Sequence, residues 1–133
     1  MITLINDTLA GAVTGKLGEA YSFKPHSVQF LTLQAVFVRA GGGTTCDVFV
    51  QTSLDGGVTW FDIAQFAFTT TTATKVSAVK RGIAVTPGTA PADAALADNT
   101  VLDGVIGDRV RVKYTTTGTY TGASSVKVTA IAA

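Results

Sequence analysis

The stretch Ser53-Leu54-Asp55-Gly56-Gly57-Val58-Thr59-Trp60 decides how the rest of the chain folds. It separates two β-prone runs, residues 46–51 and 61–68. Asp-Gly-Gly at its centre supplies residues that readily adopt positive φ angles, as a tight hairpin between right-twisted strands requires. The sequence therefore predicts a β-hairpin with residues 53–60 at its tip.

The same octet resembles the Asp-box, whose pattern is Ser/Thr-x-Asp-x-Gly-x-Thr-Trp/Phe. The fixed positions of the pattern are matched by Ser53, Asp55, Gly57, Thr59 and Trp60. In proteins that carry it, the box is a folding element at a hairpin tip, repeated in sialidases and single in many secreted and viral β-proteins. The resemblance implies that Asp55 binds backbone amides inside the turn and that Trp60 packs into the core. It indicates an architecture and leaves the function open.

Alternating polar and apolar residues predict the other strands. Residues 28–39 form the longest β-prone run, and both of its faces are largely apolar, which is typical of a strand covered on each side or at an interface. Residues 109–114 and 125–132 each present one apolar face, and residues 115–123 are predicted to join them as a hairpin. About eight strands at a spacing of roughly ten residues, without a major helix, predict an all-β fold, an antiparallel β-sandwich or jelly roll.

The length of 133 residues fits one domain with a hydrophobic core of its own. Residues 1–19 are punctuated by glycine and are predicted to be either an edge strand or an arm that pairs with a neighbouring subunit. Residues 20–133 then form a single β-sandwich domain. Residues 87–99 are predicted to be a long surface loop with at most one or two helical turns, and a loop of this length is more often functional than idle.

Two groups of side chains are candidate partner contacts. The first group is apolar and lies in the N-terminal segment: Ile2, Leu4 and Ile5. The second group is a basic stripe: Arg109, Arg111 and Lys113. The stripe, extended by Lys127 if that residue lies on the adjacent strand, would suit an acidic partner surface or phosphates. We favour a simpler interpretation, the solvated face of an edge hairpin whose basic residues discourage edge association.

The composition describes a surface with few charges. Hydrophobic residues make up 47% of the chain and charged residues 14%, against about a quarter charged in average globular proteins. Such a surface belongs either to a neutral soluble domain or to a protein that partners normally cover. The net charge of +1 provides no field that would attract nucleic acid or an anionic membrane. No run approaches the roughly 20 apolar residues of a membrane helix, and the N-terminus does not resemble a signal peptide, so we expect synthesis in a cytoplasm.

The sequence offers little for catalysis. His26 is the single histidine and Cys46 the single thiol, so neither a zinc site nor a Cys-His nucleophile of the usual kind can be assembled. Asp47 and Asp62 would be the candidate acid–base pair if they met across the hairpin, although placement on the surface is the favoured interpretation. We therefore predict a protein that is not an enzyme and has no catalytic residues, metal or cofactor.

Over most of its length the chain resembles small virion proteins of tailed bacteriophages. The features that carry the resemblance are the Thr/Ala/Gly-rich composition, the single Asp-box hairpin over residues 51–63, and residues 107–114 followed by a Gly/Thr loop and a last strand. The resemblance implies a head decoration (cement) protein or another minor head or tail component of the virion. Its partners would be the major capsid protein or other virion proteins, with the chain itself as a homo-oligomer.

Two alternatives remain open at this point. The first is a carbohydrate-binding sandwich for host attachment, with Trp60, Phe49 and Phe61 as a possible sugar platform, although aromatic residues beside a hairpin usually belong to the core. The second is a tail-tube or connector protein that forms rings. Neither alternative involves a membrane or a specific nucleic acid.

Overall fold

The computed structural model describes residues 1–24 and 27–133, so the turn predicted at Pro25 and His26 lies outside the described residues. The described residues contain no helix, and the predicted all-β class is confirmed. Seven strands of seven to nine residues and four strands of two residues make up the fold. In chain order they are β1 Ile2–Thr8, β2 Lys16–Leu17, β3 Tyr21–Ser22, β4 Phe30–Val38, β5 Gly41–Gly42, β6 Thr45–Ser53, β7 Phe61–Phe68, β8 Ala73–Lys80, β9 Arg109–Thr117, β10 Tyr120–Thr121 and β11 Ser125–Ala132.

The long strands form two antiparallel sheets that face each other as in a sandwich. One sheet has four strands in the order β1-β11-β4-β8. The other has the order β2-β9-β6-β7, and β3 also pairs with β9. The short strands β5 and β10 pair with each other at one end. The strand number exceeds the expected eight because two-residue strands complete the sheet edges, and the finer description as a jelly roll stays a prediction.

Alternation along the strands places one side chain in two inside the sandwich. In β4 the inward residues are Leu31, Leu33, Ala35 and Phe37, all of them buried. The facing sheet contributes Cys46, Val48, Val50, Val110, Val112 and Tyr114. Phe37 packs between the two layers, since the centroid of its ring lies 5.0 Å from that of the Phe68 ring and 5.4 Å from that of the Tyr120 ring. The core therefore lies between the sheets, as the period-two patterns predict.

The N-terminal segment is part of the domain. Strand β1 forms one edge of the four-stranded sheet, and its register against β11 shifts between Thr3 and Ile5. A β-bulge of this kind turns consecutive side chains toward the same side, and here both Leu4 and Ile5 are buried in the chain's own core. Ile2 is half-buried and packs against that core. The prediction of Leu4 and Ile5 as partner contacts is therefore wrong for this fold, because their side chains are already covered.

The predicted hairpin between residues 109–114 and 125–132 does not form. Strand β9 pairs with β6 and with the short strands β2 and β3, whereas β11 lies in the other sheet between β1 and β4. The chain crosses between the sheets after Thr117, and Tyr120–Thr121 pairs with Gly41–Gly42 on the way. Lys127 therefore does not extend the basic stripe, and the stripe lies on an inner strand of its sheet. Alternation shows which face of a strand is buried, but it does not show which strand lies beside it.

Residues 81–108 connect the two sheets without a helix and cover part of the five-stranded sheet. Residues 100–102 run along the free side of β7, where Leu102 N donates to Ile63 O at 2.9 Å and Gln65 N donates to Thr100 O at 3.0 Å. This pairing closes the outer edge of β7. The predicted loop over residues 87–99 thus begins in a cleft beside Phe61, at the start of β7, and ends attached to that strand through Asn99.

Candidate functional site

The Asp-box residues form a closed hydrogen-bonded turn between β6 and β7. Oδ1 of Asp55 accepts hydrogen bonds from the amides of Val58 at 3.1 Å and Thr59 at 2.8 Å. Oδ2 accepts one from the Thr59 hydroxyl at 2.5 Å. Ser53 Oγ donates to Asp55 Oδ1 at 2.8 Å and accepts from the Gly57 amide at 2.8 Å. Asp55 therefore binds amides within the turn, in the way the resemblance implied.

The hydrogen bonds of this turn stabilise the charged form of Asp55. Bonds from the side chain and backbone of Thr59, followed by those from Ser53 and Val58, lower the pKa of the carboxyl from 3.8 to about 2. A carboxylate that accepts several bonds loses them when it binds a proton. The turn is therefore a rigid element that depends on the charge of one side chain.

Trp60 lies on the outer side of the five-stranded sheet. Its indole Nε1 donates to Gly57 O at 3.0 Å, and the guanidinium carbon of Arg111 lies 4.2 Å from the centroid of its ring. The side chain is half-buried and is not among the residues of the core, whereas the next residue, Phe61, packs against the core. The expectation that Trp60 packs into the core is therefore wrong, since alternation in the hairpin turns Phe61 inward and Trp60 outward.

A polar network covers the same outer surface next to the turn. Gln51 Nε2 donates to Asp62 Oδ1 at 2.9 Å and also to Asp93 Oδ1, while Gln51 Oε1 accepts from Arg111 Nε at 2.9 Å. Lys113 Nζ lies 2.7 Å from Asp93 Oδ2. Burial raises the pKa of Asp93, but the hydrogen bonds from Lys113 and Gln51 outweigh it, and the pKa is lowered overall. The network joins β6, β7 and β9 to the long loop.

Asp62 anchors that loop. Its carboxylate accepts hydrogen bonds from three successive amides, those of Ala94 at 3.1 Å, Ala95 at 2.8 Å and Leu96 at 2.9 Å. The side chain is completely buried under the loop. Asp47 lies opposite Ala67, whereas Asp62 lies opposite Gln51 further along β6, so the two carboxylates do not form an acid–base pair. No local pattern of residues indicates this role of Asp62, because the amides it binds are more than 30 residues away.

The basic stripe is largely occupied by this network. Arg111 binds Gln51 and stacks on Trp60, and Lys113 is paired with Asp93. Arg109 lies beside the turn, and its Nε is buried without a hydrogen-bond partner among the described residues. The stripe therefore holds the hairpin and the loop together. The interpretation as the solvated face of an edge hairpin is wrong, because β9 is an inner strand and two of the three side chains have partners within the chain.

The other sheet presents a surface of a different kind, formed by the outward side chains of β4, β8 and β11. We call it the β4–β8–β11 face. Large apolar side chains stand in solvent there, with exposed fractions of 47% for Phe30, 71% for Val76 and 60% for Ile131. Threonine, alanine and glutamine lie between them in register, in the rows Ile131–Thr32–Ala78 and Thr129–Gln34–Val76.

The charges of this face are few and of one sign. The outward positions of its three strands include Lys80 and Lys127 and no carboxylate. Lys80 lies with its Nζ 5.5 Å from the centroid of the Phe30 ring, so part of its charge is turned toward the face itself. The two apolar faces of residues 28–39 thus differ in burial, since one forms the core and the other is exposed. The sequence pattern indicated that strand, but it did not indicate that Val76 and Ile131 lie beside it.

The described part of the chain contains no helix that is long and apolar enough to cross a membrane. Comparison of the chain with protein-family models, with curated proteins and with solved structures finds no match.

Proposed function

We propose that this chain is a non-enzymatic structural protein of a tailed-phage virion, a decoration protein that binds the major capsid protein on the outer surface of the head. The observation that carries the proposal is the β4–β8–β11 face, an exposed and almost uncharged sheet surface. It adds a place of attachment to the resemblance with small virion proteins.

An exposed apolar surface of this kind is costly unless a partner covers it. Each Å² of apolar surface that docking removes from water contributes about 25 cal/mol. Contiguous apolar patches on soluble proteins usually mark interaction sites. The threonine and glutamine side chains between Phe30, Val76 and Ile131 can satisfy polar groups of a partner without burying charge. A capsid lattice repeats the binding site, so copies linked to each other can sum weak contacts into stable attachment.

The rest of the fold suits such a role. The docking face lies on β4, β8 and β11, which pair without a register shift, so docking would order few additional groups. A small net charge of +1 leaves attachment to contact rather than to long-range electrostatic steering. We therefore expect binding that changes little between low and physiological salt.

The test is cosedimentation of the purified chain with phage heads assembled without it. We expect saturable binding at a fixed ratio to the shell protein. Ile131→Lys places a charge in the exposed face and should weaken binding at least about tenfold. Val58→Lys, a change at the 81% exposed tip of the Asp-box hairpin, is the matched control and should bind as the unmodified chain does. Absence of binding, or equal binding of both variants, would contradict the proposal.

Cosedimentation and tryptophan fluorescence together distinguish the alternatives. A tail or connector component would sediment with tails and leave heads free. A carbohydrate-binding module would show a change in Trp60 fluorescence on addition of sugars, but one side of that ring already faces Arg111. This contact weighs against Trp60 as a sugar platform, and we do not favour the glycan hypothesis.

A further inference from the structure

Strand β8 leaves one edge of the sandwich open. Among the described residues, the other long edges are closed or interrupted. Residues 100–102 pair along β7, and the short strands β2 and β3 cover β9. On the side of β1, the strand is bulged and Gly18 lies so close to the Leu4 carbonyl that a Cβ atom there would overlap with it. Strand β8 pairs with β4 on one side. On its other side no strand of the described residues lies beside it: Arg81 and Gly104 form a single bridge just beyond its end, and a cleft separates Val76 from residues 99–101.

The hydrogen bonds at the end of β8 show which backbone groups face outward. Lys80 N donates to Asp103 Oδ1 at 2.6 Å, and Lys80 O accepts from Gly104 N at 2.9 Å. Arg81 N points the opposite way and donates to Gln29 O at 2.8 Å. Because backbone groups alternate in direction along an antiparallel strand, Thr74, Val76 and Ala78 point their N–H and C=O groups in the same direction as Lys80, away from β4.

These outward groups have no hydrogen-bond partner within the described part of the chain. Apart from Lys80, which Asp103 and Gly104 bind, the strand lacks the usual protection of an edge. It contains no proline and keeps a continuous register with β4 from Ala73 to Lys80. Lys75 does not shield the edge, because its Nζ is bound to Ala67 O at 2.5 Å and to Asn99 Oδ1 at 2.9 Å. An unprotected, regular edge of this kind is a template for another strand.

We propose that β8 pairs antiparallel with β8 of a second copy of this chain, about a two-fold axis at Val76. In this register Val76 lies opposite Val76 of the partner subunit, and Thr74 lies opposite Ala78 of the partner subunit. Each of these pairs joins outward-facing groups, so every free N–H and C=O of the three residues obtains a partner. The two four-stranded sheets become one sheet of eight strands.

The residues at the edge favour this register over its neighbours. A shift in one direction places Ala78 opposite Thr72 of the partner subunit, which precedes β8 and is not part of its regular edge. A shift in the other direction places Thr74 opposite Lys80 of the partner subunit, whose N–H and C=O are already bound. The register at Val76 also brings together two β-branched side chains that are 71% exposed in the single chain. A second copy therefore satisfies the edge more completely than an arbitrary strand would.

The pairing would join the β4–β8–β11 faces of the two copies into one continuous surface. It does not depend on the proposed function, because it follows from the backbone groups and side chains of β8 alone. If both proposals hold, the dimer would be the form that docks, with twice the apolar surface of one chain. Because dimer formation and binding to heads are measured separately, each proposal can fail without the other.

The test is sedimentation equilibrium of the full chain and two variants over a range of concentrations. Val76→Pro removes an outward N–H that does not belong to the ladder with β4, and an edge strand tolerates proline at such a position. Val76→Thr keeps the N–H and a β-branched side chain and is the matched control. We expect the unmodified chain and Val76→Thr to be dimers and the dissociation constant of Val76→Pro to rise at least about tenfold. Thermal melting verifies that all three are folded.

Amide hydrogen exchange identifies the surface that the dimer uses. The amides of Thr74 and Ala78 should exchange at least about tenfold more slowly in the dimer than in the monomeric Val76→Pro chain, which has no amide hydrogen at residue 76. A chain that is monomeric at all concentrations overturns the proposal, as does a dimer that survives Val76→Pro or leaves these amides unprotected. Ile131→Lys should remain a dimer while binding heads at least about tenfold more weakly. A monomer that binds heads would thus contradict the pairing alone, and a dimer that does not bind them would contradict the proposed function alone.

Discussion

Gln51 and Asp62 form a buried hydrogen-bonded pair across β6 and β7, with Gln51 Nε2 2.9 Å from Asp62 Oδ1. The pair follows the point at which the register of the two strands shifts, between Val50 and Gln51. A neutral amide cannot balance a buried carboxylate by itself. The balance comes from three backbone amides of the long loop, which point at the same carboxylate. The hairpin and the loop are therefore a single folded unit.

Replacement of Asp62 by Asn should destabilise that unit. The variant side chain has one oxygen in place of two and turns an NH₂ group toward donors, so buried amides of the loop lose their acceptor. Leaving buried groups unsatisfied in this way should lower the free energy of unfolding by about 2–4 kcal/mol. Urea denaturation measures the loss, and hydrogen exchange at Ala95 and Leu96 should become faster in the folded variant.

Asp47→Asn, on the neighbouring strand β6, is the matched control. Burial, together with the negative charge of Asp98, raises the pKa of Asp47, so its charge is held in an unfavourable place. Removal of that charge should leave the stability at neutral pH unchanged or slightly increase it. A midpoint for Asp62→Asn equal to that of the unmodified chain would show that the loop amides do not depend on the carboxylate.

The Asp-box turn should make part of the stability depend on acid pH. The pKa of Asp55 is about 2 in the folded chain and 3.8 ordinarily. Because the folded pKa is the lower one, the carboxylate favours the folded state above pH about 4, and this contribution is lost as the pH falls toward about 2. Asp55→Asn should have a lower melting temperature than the unmodified chain at neutral pH. The melting temperatures of the two chains should converge near pH 2. A difference in melting temperature that stays constant with pH would contradict the assignment.

The local parts of this architecture could be predicted from the sequence. The turn at Asp55 forms from bonds between residues at most four apart, so its pattern is written in consecutive residues. Alternation likewise predicted the inward residues of β9, because which side of a strand is apolar is a property of that strand alone.

The long-range parts could not be predicted in this way. The pairing of β9 with β6 depends on how the sheets assemble, and alternation is the same for any neighbouring strand. Asp62 stands between apolar residues like an outward-facing side chain, and it is buried only because the loop at Ala94 folds over it. The stack of Arg111 on Trp60 arises between residues that are brought together by the same assembly. Each of these contacts links parts of the chain that carry no common sequence signal.

The stack of Arg111 on Trp60 should be visible in the fluorescence of the single tryptophan. Arg111→Ala uncovers one side of the indole ring and leaves Gln51 Oε1 without its donor, so the emission should shift to longer wavelength. The free energy of unfolding should fall by about 1–2 kcal/mol. Arg111→Lys keeps the charge but loses the planar group and the Nε donor. Its emission wavelength and its free energy of unfolding should lie between those of the unmodified chain and those of Arg111→Ala. An unchanged emission spectrum in Arg111→Ala would show that the guanidinium does not shield the ring.

Two glycines separate the cost of backbone conformation from the cost of crowding. Gly43 and Gly56 have nearly the same φ, 74° and 72°. A Cβ atom on Gly56 would meet nothing within 4 Å, whereas one on Gly43 would overlap with the ring of Tyr120. That ring cannot easily move, because its hydroxyl donates to Thr69 O at 2.6 Å and its edge packs on Phe37.

Gly56→Ala should therefore cost only the strain of a positive φ, about 1 kcal/mol in the free energy of unfolding. Gly43→Ala should cost that strain and the overpacking against Tyr120 as well, about 3 kcal/mol or more in total. Urea denaturation of the two variants under the same conditions measures the difference. Equal losses would mean that the Tyr120 ring yields at no cost, and that the crossover between the two sheets is less tightly packed than these contacts indicate.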